Sequence, residues 1–417
     1  MNRSARLGLL VAWTWASGAH AATFVVDTEA DGMVTGCSPL VIGDCTLRGA
    51  IQRANQNVGF DTITFGFGVR TIELTLSGAG DDLNQTGDLD ILEDLLIDGN
   101  GVVTVDATAI EDRVFDVSTN STAFTVIEGL TISGGRAPTG DGSFDGGGVR
   151  CLQSALFLDH VVVGDNGPVR RGGGVYAQCD VIANFTTFSD NVATQAGGGL
   201  EIFSDHHLSA PVSAFVGNHA AIGGGLSIGM LSTAAIDNTT FSGNTATNGG
   251  TAIHNSSQLE LDFVTVFDPQ SAIPTIAHLN LGATTAFSNS LVVGSCAAIP
   301  GNTLVTLGGN LESPGDTCLF DPMLDQFTVA DARLSPLGDN GGPTPSHMPR
   351  ADSPAVDDPL GTISNCPAHD QRFGPPRPLD GNGDGLAACD IGAIERDVLF
   401  DDGFESGDLS EWSLATP

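Results

Sequence analysis

Residues 172–225 read GGGVYAQCDVIANFTTFSDNVATQAGGGLEIFSDHHLSAPVSAFVGNHAAIGGG. The glycine triplet starting at Gly172 returns at Gly197 and Gly223, is preceded by one at Gly146, and is followed by a double glycine at Gly249. The intervals are 26, 25, 26 and 26 residues. Such a period marks a solenoid, in which each unit buries its apolar face only against its neighbours. Three residues past each start stands an apolar side chain: Val149, Val175, Leu200, Leu226 and Ala252. Later in each unit comes a β-branched or aromatic run, at Val161–Val163, Phe185–Phe188, Ala214–Val216, Thr239–Phe241 and Val264–Val266. These runs read as strands with alternate residues facing inward. The first four are followed by polar turns ending in Asn166, Asn191, Asn218 and Asn244. Asn tolerates a left-handed backbone and its amides stack into ladders between coils. The glycines turn corners where a Cβ would clash.

This pattern predicts an all-β chain, a right-handed parallel β-helix with coils of about 26 residues. Helical repeats are excluded because segments rich in Gly, Thr, Val and Asn have poor helix propensity and lack a 3.6-residue stripe. A β-propeller blade needs roughly 40 residues or more.

A parallel β-helix exposes unpaired backbone and core at both ends, so each end needs a cap. Near the start, Leu47, Ala50, Ile51 and Ala54 share one face of a short helix that Thr46 can N-cap. Strands are expected around Asp61–Phe65 and Asp88–Asp98. The run Cys45-Thr46-Leu47-Arg48-Gly49-Ala50, continued by Ile51-Gln52-Arg53-Ala54-Asn55 and Asp61-Thr62-Ile63, resembles the CSLREA motif of bacterial exported β-helix proteins. Gly49 stands where that family has Glu, which removes the acidic half of a capping box and predicts a weaker helix. The C-terminal part is similar to the domain that accompanies such helices in choice-of-anchor proteins. The matching pieces are Asp339-Asn340-Gly341-Gly342-Pro343-Thr344, Ser353-Pro354-Ala355-Val356-Asp357, Asp370-Gln371-Arg372, Arg377-Pro378 and Cys389 to Glu395. The resemblance covers roughly residues 37–396 and implies fold and export; the family carries no established reaction.

Arg3 and Arg6, the apolar run Leu7–Ala16 and Ala19-His20-Ala21 have the layout of a secretory signal peptide cleaved after Ala21. No transmembrane segment is expected, because no run approaches 20 apolar residues. The expected layout is a signal peptide at 1–21, an N-terminal cap at 22–60, the β-helix at 61–320, a C-terminal cap at 321–396 and an acidic tail at 397–417. All eight cysteines lie beyond the signal, and an even count in an exported chain favours disulfides. Their grouping suggests Cys37 with Cys45, Cys151 with Cys179, Cys296 with Cys318 and Cys366 with Cys389, although sequence alone leaves the connectivity open. Cys151 and Cys179 lie on adjacent repeats, and a strand spacing of about 4.8 Å suits a disulfide.

The chain has 50 acidic and 15 basic residues, every basic one Arg, for a formal net charge of −35. Such a field repels nucleic acid, anionic lipid and polyanionic glycans and favours divalent cations. Without Lys, Schiff-base chemistry and the phosphate-binding P-loop are excluded.

Three constellations carry candidate chemistry. Asp380-Gly381-Asn382-Gly383-Asp384-Gly385 places oxygen side chains at positions 1, 3 and 5 of a calcium loop and glycine at position 6. Position 12 is Ile391, with Asp390 one residue early, and Pro375, Pro376 and Pro378 exclude an entering helix. Calcium held by Asp380, Asn382, Asp384 and Asp390 is one reading; an Asx-turn loop stapled by Cys366 and Cys389 is the other. Asp205-His206-His207, with Asp159-His160 and Asp180 on earlier coils, is the second group. Asp180, Asp205 and His206 are its acid–base candidates. Adjacent residues on a strand point to opposite faces, so His206 and His207 cannot share one site there, and a solvated role is the plainer expectation. Arg150, Arg170 and Arg171 form the third, suited to a sugar carboxylate or to ion pairs with Asp141, Asp145 or Asp165. The function expected is a secreted or cell-surface scaffold that binds a glycan or cell-surface ligand, with no catalysis assigned. The alternative is a carbohydrate-active enzyme, a polysaccharide lyase or glycoside hydrolase.

Overall fold

The structure is a computed structural model that describes residues 21–78, 83–118, 124–137, 144–269, 271–374 and 376–397. The expected signal peptide (except Ala21), the acidic tail (except Asp397) and Asp141 lie outside these residues.

The chain winds as a parallel β-helix. Strands Leu200–Ile202, Leu226–Ile228, Ile253–Asn255 and Ile276–His278 pair in parallel, each with the strand one coil on, and neighbouring strips repeat the pattern around the coil. Alternation does the sorting. Val149, Val175, Leu200, Leu226 and Ile253 point inward in one register column. Gly146, Gly172, Gly197, Gly223 and Gly250 turn the corners with φ between 58° and 71°. The fifth unit is therefore registered by Gly250 and Ile253, not by Gly249 and Ala252 as the glycine count suggests. The second and third glycines matter for packing: a Cβ on Gly173 would lie 2.3 Å from the Gly198 carbonyl oxygen of the next coil.

Two ladders run along the core. Phe188, Phe215 and Phe241 stack with ring centroids 4.6 Å apart at each step. Asn166, Asn191 and Asn218 each donate from Nδ2 to the Oδ1 of the next Asn, at 3.0, 2.9 and 2.9 Å, ending at Asn244. That same Oδ1 also accepts the backbone N–H of the preceding Asn. A buried amide left unpaired would cost about 1–3 kcal/mol, so the ladder satisfies turns that leave the β-ladder. The left-handed residue is not the Asn but its predecessor: Asp165, Asp190, Gly217 and Gly243 have φ between 54° and 66°.

All four expected disulfides form, with Cα separations of 4.3, 5.9, 4.8 and 6.1 Å, and no free cysteine remains. This suits an oxidising compartment. Among the described residues no helix is long and apolar enough to cross a membrane.

The helix Leu47–Ala54 closes the first coil with Leu47, Ala50, Ile51 and Ala54 buried. Thr46 Oγ1 accepts the Gly49 N–H at 3.0 Å, so the hydroxyl half of the cap is intact. Gly49 has a steric reason: a Cβ there would lie 2.0 Å from the Val34 carbonyl oxygen. The parallel ladder starts earlier than residue 61, because Thr23–Val26 pairs with Asp61–Phe65.

At the other end Phe320 meets Phe287 at 5.3 Å. The segment beyond does more than cap the end, for it turns back along the flank. Ala393 N–H reaches Thr265 Oγ1 (3.0 Å), Thr240 Oγ1 donates to Gln371 Oε1 (2.6 Å), His347 Nε2 meets Ser242 Oγ (2.9 Å), and Gln371 Nε2 donates to the Ser213 carbonyl (3.1 Å). Buried Arg377 pairs with Glu395 at 3.3 Å and lies over the Phe263 ring at 4.4 Å. Gln371, Arg377, Ala393 and Glu395 all belong to the C-terminal motifs quoted above, so those motifs are the docking surface between segment and solenoid.

Candidate binding cleft

The residue after each inward Val, Leu or Ile of the corner strip points outward. The column Asp90, Asp116, Arg150, Tyr176, Glu201, Ser227, His254 runs in register over successive coils. It sits on a solenoid face, yet Glu201, Ser227 and His254 are only 3 %, 2 % and 3 % exposed. They form the floor of a cleft of about 200 Å³. One wall is the small parallel sheet Val169–Arg171, Ala193–Ala196, His219–Ile222 and Thr245–Gly249, which contributes Arg171, Ala196 and Ile222. The other is made by Phe203, Ser204, Gly229 and Met230, with Ser256 and Asn280 beyond.

Glu201 and His254 are both strongly perturbed on the floor. For Glu201, burial is the largest cause and pushes the carboxyl up to about 7; Arg171 opposes this, Asp145 adds to it, and Arg170 opposes it weakly. Its charged neighbour is Arg171, at 3.6 Å, whose guanidinium lies over the Phe203 ring at 4.9 Å. Among the described residues, none donates a hydrogen bond to the buried Glu201 Oε2. His254 Nδ1 lies 3.4 Å from Ser227 Oγ and Nε2 lies 3.4 Å from Ser256 Oγ. Burial, then repulsion from His278, lowers His254 to about 4, so its imidazole is neutral near pH 7. Tyr176 is pushed up to about 12, by burial first and then by Asp145 and Glu201, and remains a phenol. The floor therefore offers neutral or nearly neutral hydrogen-bonding groups beside one aromatic wall.

Towards the N-terminus the same column is sealed. Asp88, Asp90 and Asp116 gather carboxylate oxygens within 4.8 Å of one another, the one such acidic, His or Cys trio among the described residues. Arg113 pairs with Asp88 (2.9 Å) and Asp116 (3.4 Å), and Arg150 pairs with Asp116. Burial, with Asp112 adding to it and Arg113 opposing, raises Asp88 to about 8. The residues form a buried ion network.

The expected acid–base group divides. Asp180 Oδ1 lies 3.5 Å from His206 Nδ1 and accepts the His207 N–H at 2.8 Å, while Asp205 sits exposed in the turn at φ 66°. His207 turns to Thr233 Oγ1 at 2.8 Å. Asp180 is in register with Ala155, whereas Asp159 pairs with Asn184. The Asp159–His160 pair (3.2 Å) is thus displaced by four residues, about 13 Å along the strand. These groups do not form one site. Arg150, Arg170 and Arg171 also separate, onto Asp116, Asp145 and Glu201. Only the Arg170–Asp145 pair is among those expected.

In the 380–385 loop, Asp380 accepts the N–H groups of Gly383 (2.7 Å) and Gly385 (2.8 Å), and Asn382 Oδ1 accepts that of Asp384 (2.8 Å). Asp390 is fully buried, and its two oxygens accept the N–H groups of Asp357 (2.7 Å) and Arg396 (2.6 Å). It holds Asp357, whose carboxylate in turn accepts the N–H groups of Gly381 (3.1 Å) and Asn382 (2.8 Å) of the loop.

Glu201, Ser227 and His254 were missed by sequence reasoning, although the signal was present. Four residues past Gly146, Gly172, Gly197, Gly223 and Gly250 stand Arg150, Tyr176, Glu201, Ser227 and His254. That polar column sits beside an apolar one, and the slip at the fifth unit hid its last member.

No family model matches the chain, and no curated protein matches it. Among solved structures the chain is similar to the crystal structure of pectate lyase Pel9A, with 11 % sequence identity, 91 % of this chain and 98 % of that chain covered, and a TM-score of 0.49.

Proposed function

We propose that the protein is an exported scaffold, secreted or held at the cell surface, that binds neutral glycan chains in the cleft over Glu201, Ser227 and His254. The observation that carries this reading is the buried Glu201 Oε2 without a hydrogen-bond partner on a cleft floor. Such an atom costs about 1–3 kcal/mol; because it has almost no accessible surface, a ligand hydroxyl recovers that cost only when the Glu201 side chain turns towards the cleft. Sugar hydroxyls also match Ser227, Ser256 and the neutral imidazole of His254, and a sugar face matches the Phe203 wall. The cleft is smaller than the roughly 300 Å³ lower bound for drug-sized ligands, which suits one unit of a longer polymer lying along the solenoid. The net charge of −35 disfavours polyanionic chains. Export is supported by the signal-like first residues, the four disulfides and the resemblance to CSLREA and choice-of-anchor proteins. Calcium has a structural place in this reading, held by Asp380, Asn382 and Asp384.

The test is binding of the protein to immobilised neutral and uronic polysaccharides, with and without calcium. Saturable binding to a neutral glycan, lost in Ser227→Leu, supports the reading; binding that survives a filled cleft sinks it. A carbohydrate-active enzyme is the second reading, favoured by the carboxyl of Glu201.

A further inference from the structure

We propose that Glu201 is the proton donor of a glycoside-hydrolysing centre on the cleft floor, acting on neutral glycans. This rests on the reading of the cleft as a glycan site. Glu201 stands on a strand paired on both sides, with Tyr176 and Ser227 as its register partners, so its backbone is held rigidly. Among the described residues it is the one carboxyl lining the cleft; it is 3 % exposed, and its Oε2 has no hydrogen-bond partner among them. A structural buried acid takes partners, as Asp390 and Glu312 do from backbone N–H groups.

The surroundings favour an acid that retains its proton near neutrality. Arg171 faces it at 3.6 Å, Arg170 is engaged by Asp145 at 2.5 and 2.8 Å, and Tyr176 and His254 stay uncharged on either side. Against this set, burial wins and holds the carboxyl at about 7, the range suited to general acid catalysis.

In the reaction the Glu201 carboxyl gives its proton to the glycosidic oxygen as the bond from that oxygen to the anomeric carbon breaks. The electron pair stays on the oxygen, which leaves as an alcohol. Water adds to the anomeric carbon and returns a proton to the Glu201 carboxylate, so one acetal link and one water become two hydroxyl-ended fragments. The positive charge that builds on the sugar ring is offset by the carboxylate that Glu201 becomes once its proton has left.

The full chain should release new reducing ends from at least one neutral polysaccharide that it binds. Glu201→Gln should lose at least about 100-fold in turnover at saturating glycan, a readout that separates loss of the proton donor from any change in binding at this floor residue. Independently of any variant's folding, the wild-type rate should fall as pH rises through about 7. Binding without reducing ends on every bound glycan, or turnover unchanged in Glu201→Gln, overturns the proposal while leaving the binding site in place. Failure to bind any glycan overturns both.

Discussion

Asp116 and Glu201 occupy the same outward position of the same sheet, three coils apart, and both are almost fully withdrawn from water. Asp116 meets Arg113, Arg150 and the Ser118 hydroxyl (2.8 Å) in a region closed by ion pairs. Glu201 has one guanidinium at 3.6 Å and a cleft above it. Burial alone does not separate a structural acid from a reactive one. What separates them is whether the counter-charges close over the group or leave a direction open to a ligand.

The largest expected effect lies on the closed side. Arg113→Leu removes the guanidinium paired with Asp88 and leaves Arg150 as the guanidinium paired with Asp116, and should lower stability by about 3–5 kcal/mol in urea unfolding. A loss under 1 kcal/mol would mean that the network is not what holds those carboxylates.

On the open side the signature is a pH dependence. The Glu201 carboxyl is raised from 4.5 to about 7, so the folded state binds the extra proton between those values. Its contribution is present below pH 4.5 and is lost as pH rises through 7, by roughly 3 kcal/mol. Glu201→Gln should flatten that part of the stability–pH curve. Parallel curves for wild type and variant would show that Glu201 ionises normally and would remove the contrast with Asp116.

Asn218→Ala, in the middle of the amide ladder, should cost about 1–3 kcal/mol by stranding the Asn191 amide donors. A smaller shift is expected from calcium: melting should rise in millimolar calcium over chelator. Asp380→Ala should abolish that rise and Asp390→Asn should leave it, since Asp390 is fully buried with both oxygens held by the N–H groups of Asp357 and Arg396. The smallest effect is Asp180→Ala, within about 0.5 kcal/mol and without change in glycan binding, because the Asp180 side chain is 63 % exposed. Loss of binding there would return the site to the Asp180–His206 face.

The amide ladder and the Cys151–Cys179 bridge were legible in the sequence because both connect equivalent positions on adjacent coils. Glu201 was not, because nothing in its own repeat says that Phe203 and Arg171 will wall it in or that its oxygen will lack a donor. The steric reason for Gly49 was hidden for a related reason: it depends on the Val34 carbonyl, outside the helix.

By itself the sequence determined the period and, in the first four units, the inward column and the corner glycines, and it suggested the four cysteine pairs, since stacked coils turn local spacing directly into spatial register. Tertiary structure alone decided that residues 340–395 return along the flank and that one outward column becomes a cleft floor. Those outcomes depend on contacts between segments up to 158 residues apart, such as Gln371 with the Ser213 carbonyl, and on desolvation set by several coils at once, which no single repeat encodes.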